Sequence, residues 1–315
     1  MRELLALLSR WFFVRGDPRT AAALRIAYCG VYLCMLWDFY PVMGLLFGDG
    51  GLFGTLEPFP YDISEWQFFL FHHDSRPELA AWFWGSVALA LAGALGLCTR
   101  LSVLLTYLSV IVFQERGPFM IFGADLVMRC VGLWIVLVDG GRVWSIDAAL
   151  RRRRGAPPPG EIELWPVRAI QIQVVLVYLI TGLLKLRAPP WQEGSAVYYA
   201  LQVGNMLKGQ SHAWLLSQRG LLAALDYGVL VIELALPLCL LYRPLRRWGV
   251  LMGVAMHTGI DLLMSIRFFS LTMYMGYLAF LDDDDWRRLR SDESWIGRLR
   301  ARLRGQRAGV DSSRT

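Results

Sequence analysis

Charged residues are scarce in this chain of 315 residues. They make up 18% of it, against 56% hydrophobic residues, and the mean hydropathy is +0.41. The length would allow two soluble domains, but this composition, with its recurring long apolar stretches, is typical of a polytopic membrane protein. The net charge of +6 does not indicate nucleic-acid binding, because the arginines cluster between the apolar stretches and at the chain ends.

Patterns for metals, disulfides and phosphate binding are also lacking. The five cysteines all lie inside apolar stretches, and no two form a CxxC pair, so we expect small buried side chains in place of disulfides or zinc ligands. The four histidines have no spacing typical of a metal site, and only His72-His73-Asp74 is weakly suggestive. No Gly-rich phosphate loop, nucleophile elbow or dinucleotide fingerprint is present. Arginines interrupt the Leu-rich N-terminus, so we expect no cleavable signal peptide.

Eight apolar stretches predict an all-α fold, that of a polytopic integral membrane protein with about eight transmembrane helices. They cover residues 21–42, 79–98, 101–113, 119–138, 165–186, 221–242, 248–266 and 268–281. A spanning helix needs roughly 20 apolar residues, and the third and last stretches fall short of that length. The expected number of spans is therefore eight, give or take one or two.

The distribution of arginine predicts the orientation in the membrane. Arg-rich segments lie before the first stretch and after the fourth, sixth and last, whereas the loops at 43–78 and 187–220 are mixed or acidic. By the positive-inside rule, both termini lie in the cytoplasm and those two loops outside. A basic, Pro-rich linker near 142–164 joins two halves of a transmembrane domain at 1–285, and an Arg-rich cytoplasmic tail follows at 286–315. We therefore expect a multi-pass protein of the cell membrane.

A polar stripe runs along the fifth apolar stretch, residues 165–186. Gln171, Tyr178 and Lys185 are seven residues apart, and Thr181 precedes the lysine by four, so all four share one face of a helix. An ionisable residue in such a segment is costly and indicates a functional site. The stripe predicts a proton-handling site near the outer end of this helix.

Other ionisable side chains occur inside the apolar stretches. They are Arg25, Asp38, Asp125, Arg129, Asp226, Glu233, His257 and Asp261. Asp125 and Arg129 are four residues apart, so we expect them to neutralise each other on one helix face. Buried charges in lipid must pair or face a polar cavity. Such groups also serve as links between helices or as snorkelling chain ends, and the spacing alone leaves both interpretations open.

The ordered set of motifs resembles the HTTM domain family, which comprises bacterial membrane proteins similar to vitamin K-dependent gamma-glutamyl carboxylase. The core of the resemblance runs from Trp165-Pro166 through Gln171, Gln173, Tyr178, Thr181-Gly182 and Lys185 to Trp191-x-x-Gly194. Further matches, in chain order, are Asp17-Pro-Arg19-Thr with Leu24-Arg25, Gly123-Ala-Asp125, Glu233-x-x-x-Pro237, and His257 to Phe269-Ser270. The resemblance extends over residues 15–285.

The resemblance implies an activity. In the carboxylase, a lysine matching Lys185 is the base that deprotonates vitamin K hydroquinone, and reaction with O2 gives a stronger base that removes a glutamate γ-proton so that CO2 can add. For this chain it implies Lys185 as the catalytic base, a reduced vitamin K or menaquinone-type quinone with O2 and CO2 as cofactors, and no metal. The side chains expected to support the site or bind substrate are Tyr178, Thr181, Trp191, Asp125, Arg129, Glu233 and His257.

The chain departs from the carboxylase in two places. Residues 114–119 lack the Asn and His that the carboxylase carries near its active site, and the chain ends soon after the last apolar stretch, so we expect no large extramembrane domain. Protein glutamate is therefore not the expected substrate.

Three function classes stay open. The first is a quinone-dependent enzyme of the carboxylase or epoxidase type, a lyase. The second is a non-catalytic lipid- or quinone-binding scaffold or an accessory membrane subunit. The third is a proton-coupled transporter built on Glu233, Asp226 and His257, although no inverted repeat is visible. The expected partners are membrane lipids and a lipid-soluble quinone, not nucleic acid, and the sequence indicates no particular protein partner.

Overall fold

Helices dominate the computed structural model, which describes residues 2–48, 51–52, 76–116, 122–203, 213–266 and 268–290. The helices of the first half are α1 (Arg2–Phe12), α2 (Arg19–Phe39), α3 (Met43–Phe47), α4 (Arg76–Leu95), α5 (Thr99–Arg116), α6 (Gly123–Leu137) and α7 (Ile146–Arg153). Those of the second half are α8 (Trp165–Arg187), α9 (Pro189–Gln192), α10 (Ala196–Gln202), α11 (Ala213–Ser217), α12 (Arg219–Leu241), α13 (Arg246–Leu263), α14 (Phe269–Tyr277) and α15 (Asp283–Arg290). Short 3-10 turns follow α2 at Tyr40–Val42 and α14 at Leu278–Phe280. The all-α prediction is confirmed.

Within the described residues, four helices are long and apolar enough to cross a membrane, judged by length and composition. They are Arg19–Phe47, which continues α2 through α3, then Pro77–Leu95, Trp165–Arg187 and Arg219–Leu241. The other four predicted stretches also form helices. Of these, α5 and α13 carry three charged residues among 18, and α6 and α14 have only 15 and 9 residues. Many apolar side chains on the helices point outward, as expected for surfaces that face lipid.

Both halves of the chain share one hydrophobic core. It combines residues of α2, α4, α5 and α6 with residues of α8, α12, α13 and α14. The segment at 142–164 is accordingly more than a linker, because it contains α7 and the strand β2 (Ile162–Glu163). This strand pairs antiparallel with β1 (Arg15–Gly16), the small exception to the all-α prediction.

Helix ends gather at one end of the molecule, which we call the basic end. There the guanidinium of Arg25 donates to the carbonyl oxygens of Gly93 at 2.6 Å, Ala94 at 3.0 Å and Trp144 at 2.7 Å. Arg25 is 1% exposed. It donates to two carbonyls in the last turn of α4, which have no partner within the helix. One side chain thus holds together α2, α4 and the segment before α7.

Asp147 forms a second junction at the basic end. Its Oδ1 accepts from the backbone N–H of Cys98 at 3.0 Å, and its Oδ2 accepts from the Thr99 N–H at 2.8 Å and hydroxyl at 2.7 Å. Burial alone would raise the pKa of Asp147, but these hydrogen bonds, with the charge of Arg151, outweigh it and hold the pKa below its usual value. The carboxylate therefore fixes the tight connection between α4 and α5.

The start of α2 and the segment that follows α14 also meet at the basic end. The hydroxyl of Thr20, in the first turn of α2, donates to the carbonyl of Leu281 at 2.9 Å and accepts from the Trp286 indole at 2.7 Å. Arg243, between α12 and α13, and Arg247, in the first turn of α13, form ion pairs with the Asp282–Asp285 run. Trp286 is buried, so the expected tail at 286–315 begins within the packed body, and its residues 291–315 lie outside the described part of the chain.

Candidate functional site

The last turn of α8 carries a lysine that faces a glutamate of α12. Lys185 Nζ lies 2.5 Å from Glu233 Oε1, and the two side chains are 25% and 9% exposed. Gly182 permits this approach, since a Cβ at that position would lie 3.0 Å from the Leu234 side chain. Helices α8 and α12 therefore meet at an ion pair near the end opposite to the basic end.

Trp191 covers this ion pair. Helix α9 begins two residues after α8 ends, and the ring of Trp191 lies with its centroid 4.6 Å from Lys185 Nζ, a cation–π contact. Gln192 donates to the carbonyl of Leu186 at 2.8 Å, and the hydroxyl of Tyr227 donates to the carbonyl of Gln192 at 3.0 Å. These bonds hold the turn between α8 and α10 against α12. The Trp191 indole is thereby kept in contact with the Lys185 amine.

A row of three polar rings lies deeper in the protein. The hydroxyl of Tyr178, on α8, is hydrogen-bonded to His257 Nε2 of α13 at 2.7 Å and to the hydroxyl of Tyr277 of α14. All three residues are buried, and His257 is 1% exposed. Gly253 makes room for the row, because a Cβ there would overlap the Tyr277 hydroxyl. The row thus joins three helices at one point.

The ion pair and the ring row form one electrostatic unit, which we call the amine site. Glu233 interacts electrostatically with the hydroxyls of Tyr178 and Tyr277, and Lys185 does so with His257. Two buried polar atoms of the unit, Glu233 Oε2 and His257 Nδ1, have no hydrogen-bond partner. Buried polar groups are rarely left without partners, and each exception needs an explanation.

The predicted stripe on α8 is present, but its members have separate roles. Gln171 is buried and donates to the carbonyl of Ala279 at 2.6 Å, which fixes α8 to the 3-10 turn after α14. The hydroxyl of Thr181 donates to the carbonyl of Val177 in its own helix at 2.7 Å. Of the four stripe residues, Tyr178 and Lys185 are the ones that belong to the amine site.

Asp125 and Arg129 do not form the expected direct pair, although their charges still interact electrostatically. Asp125 accepts from the Phe122 N–H at 2.8 Å and so caps the start of α6, while Arg129 bonds to Glu115 at 2.6 Å and Gln114 at 2.9 Å. A free N–H at a helix start competes well for a nearby carboxylate, which the spacing argument ignored. The structure gives these two supporting candidates no contact with Lys185. They belong to a separate polar cluster between α5 and α6.

The acidic and histidine side chains suggested for a transporter do not converge. Asp226 is fully buried, and its Oδ1 accepts from the Val197 N–H at the start of α10 at 2.8 Å. Glu233 lies two turns further along α12 and bonds to Lys185, whereas His257 bonds to Tyr178. Each of the three therefore has a different partner.

Sequence reasoning missed Tyr277, although a signal existed. Ser270, Tyr274 and Tyr277 follow the i, i+4, i+7 spacing of one helix face. In the structure, Ser270 donates to the His257 carbonyl at 3.3 Å and Tyr274 bonds to the Thr258 hydroxyl at 2.9 Å, so this face of α14 contacts α13. The same face pattern that identified the α8 stripe would have found Tyr277.

The cysteine and metal expectations have mixed outcomes. Cys29 is buried and Cys239 half-buried, but Cys34, Cys98 and Cys130 are exposed, so the expectation of buried cysteines is wrong for three of the five. The His72-His73-Asp74 motif and His212 lie outside the described residues. Among the residues that the structure describes, no group of three or more His, Cys, Asp or Glu could hold a metal ion.

Comparison with known proteins supplies the family. No solved structure matches the chain. The sequence model of the HTTM domain matches residues 17–286, a stretch that contains every residue of the amine site, the α5–α6 polar cluster and most of the junctions at the basic end. Because the match covers most of the 315 residues, the chain belongs to the HTTM domain family.

Proposed function

We propose that all eight predicted helices cross the membrane, with the basic end and both termini in the cytoplasm. The contacts support an alternating path, since α2, α5, α8 and α13 begin at the basic end and α4, α6, α12 and α14 end there. The arginines of the junctions give this end its positive charge. The amine site then lies toward the outer leaflet. This topology is that of a multi-pass protein of a bacterial inner membrane.

We propose further that the protein is a membrane-embedded enzyme that uses a reduced isoprenoid quinone, with Lys185 as base. The observation that carries this proposal is a part-buried amine–carboxylate pair covered by an indole, in which Glu233 Oε2, like the neighbouring His257 Nδ1, is buried without a partner. A reduced quinone offers an aromatic ring for the indole and two hydroxyl groups for unpaired acceptors or donors. The side chains present therefore fit such a ligand.

Each side chain of the amine site has a proposed role in that reaction. Lys185 would accept a proton from a ligand hydroxyl, Trp191 would contact the ligand and exclude water, and Tyr178 and His257 would hydrogen-bond to a second ligand oxygen. When bound, the reduced quinone would supply with O2 the oxidative step that allows a carbon-bound proton to be removed and CO2 to add. Removal of a carbon-bound proton requires a strong base, and exclusion of water would protect that base from being quenched. Thr181 lines the helix face between Tyr178 and Lys185, whereas Asp125 and Arg129 hold the start of α6.

The non-catalytic scaffold is the second candidate, and a specific observation favours it. Tyr178 bonds to two neighbours at once and joins three helices, as a purely structural side chain would. The scaffold does not account for an amine whose ion pair leaves one carboxylate oxygen buried without a partner. We therefore place the enzyme first.

The test is an assay of purified protein in lipid nanodiscs with reduced menaquinone. Parallel arms compare aerobic with anaerobic samples, and samples with and without bicarbonate and small glutamyl compounds. Lys185 and Lys208 are the two lysines of the chain, so Lys208→Arg is a matched control for Lys185→Ala. We expect O2-dependent epoxide formation in the Lys208→Arg protein and a loss of about 10²- to 10⁴-fold in the Lys185→Ala protein, the usual contribution of a general base. Quinone that binds without turning over in either protein favours the scaffold.

A further inference from the structure

An ionised glutamate prevents Lys185 from acting as a base. With Nζ 2.5 Å from Glu233 Oε1, the ion pair holds the proton on the amine, and an ammonium group cannot accept another. The Trp191 ring face, 4.6 Å away, also favours the cation. A neutral amine must therefore be generated within the site before Lys185 can take a proton from a ligand.

Glu233 is the residue placed to receive that proton. Its Oε1 is already at hydrogen-bond distance from Nζ, so the transfer needs no movement of either helix. Its Oε2 is buried without a donor, and an ionised carboxylate that lacks a donor on one oxygen is costly in a low dielectric. Once a ligand displaces solvent from the site, this cost shifts the balance from the ion pair toward the neutral pair.

We infer that Glu233 is a positioning residue that stores the proton of Lys185 and thereby generates the neutral amine. The inference rests on the proposed function, because it assigns a role within the same site. The ammonium of Lys185 gives its proton to Glu233, which leaves an amine and a carboxylic acid. The amine then removes a proton from the ligand hydroxyl. The ligand oxyanion replaces the carboxylate as the counter-charge of the ammonium, so the net charge of the site is conserved.

Other charged groups around Lys185 do not take this role. His257 faces it from α13 but bonds to Tyr178, and the phenols of Tyr178 and Tyr277 are uncharged donors that bond to each other. On the neighbouring turns, Arg187 and Glu193 are exposed. Asp261, one turn beyond His257 on α13, interacts electrostatically with that histidine. Glu233 is the acid in direct contact with the amine.

The scarcity of lysine allows a direct test. In the Lys208→Arg protein, labelling with ¹⁵N-lysine gives a single side-chain signal, that of Lys185, and its chemical shift distinguishes ammonium from amine. At one fixed, mildly alkaline pH, we expect ammonium in this protein and in its Glu233→Asp derivative, which keeps the negative charge. In the Glu233→Gln derivative, which mimics the protonated acid, we expect the ammonium-to-amine ratio to fall by roughly 10- to 1000-fold, since an adjacent opposite charge is worth that much.

The outcomes separate this inference from the proposed function. An unchanged ammonium signal in the Glu233→Gln derivative would overturn the inference, whatever the quinone assay shows. If that derivative does not fold, an amine signal in the parent Lys208→Arg protein without ligand would overturn it equally. Addition of a reduced-quinone analogue that O2 does not oxidise should leave Lys185 as ammonium in the Glu233 protein. Failure of quinone turnover with the expected lysine signals would refute the proposed function alone.

Discussion

The basic end and the amine site are both polar clusters inside an apolar protein, but they use their polar atoms differently. Arg25 donates three hydrogen bonds to backbone carbonyls through its terminal nitrogens, although its buried Nε has no partner, and both oxygens of Asp147 are engaged. At the amine site, Glu233 Oε2 and His257 Nδ1 are buried without partners. At the basic end side chains bond mostly to backbone, whereas at the amine site they bond to one another.

This contrast separates structural from functional polarity. A side chain that bonds to backbone groups fixes helix ends. It cannot be substituted together with its partners, because those partners are backbone groups. A side chain that bonds to another side chain can be removed together with that partner.

The ion pair of the amine site should be removable as a unit but not in part. Lys185→Met alone leaves a buried carboxylate, so we expect the free energy of unfolding to fall by about 3–5 kcal/mol. Combined Lys185→Met and Glu233→Leu should restore the stability of the parent, because an apolar pair of similar volume packs without desolvated charge. Titration with denaturing detergent in mixed micelles measures both values. A double variant as unstable as the single one would mean that the pair exists for stability.

Arg25 should resist any such rescue. Arg25→Met removes the donors to the Gly93, Ala94 and Trp144 carbonyls, and we expect a loss of about 2–4 kcal/mol in the same titration. Arg100→Met is the control, since its side chain is 82% exposed and lies 3.7 Å from Asp139. The control should change stability by less than about 1 kcal/mol. Equal effects of the two substitutions would contradict the role of Arg25 as a junction.

Two glycines of α13 test the ring row. Gly253→Ala places a methyl group against the Tyr277 hydroxyl, so we expect a loss of about 1–3 kcal/mol and lower quinone turnover. Gly259 has open space around it, and Gly259→Ala should be neutral or stabilising by up to about 1 kcal/mol. Thermal unfolding measures the stability of the two variants, and the epoxidation assay measures their turnover. Full turnover in the Gly253→Ala protein would show that the row is not needed for activity.

Asp147 should make the basic end sensitive to acid. Its pKa is lowered in the folded protein by the donors at Cys98 and Thr99, so its contribution is present above the unfolded pKa and is lost as the pH falls through the folded pKa. Asp147→Asn should lower the free energy of unfolding by about 1 kcal/mol at neutral pH. The stability of this variant should also fall less as the pH is lowered. The melting temperature of both proteins, measured from neutral pH to about pH 3, tests this. Parallel curves would contradict it.

The sequence predicted the elements better than their contacts. Apolar length located all eight main helices, and the seven-residue spacing of Tyr178 and Lys185 correctly placed both toward the protein interior. Spacing within one helix contains no information on the opposing helix, which is why Glu233 was recognised as a buried acid but not as the partner of Lys185. The Asp125–Arg129 error has the same origin, because Glu115 and Gln114 reach Arg129 from α5.

The proposed function requires that the amine of Lys185 removes a proton from a reduced quinone. The most direct measurement is the initial rate of O2-dependent quinone epoxide formation in nanodiscs, as the ratio of the Lys208→Arg protein to the Lys185→Ala protein. We predict that the Lys208→Arg protein is faster by a factor of about 10² or more. A measurable rate that is equal in the two proteins would contradict it.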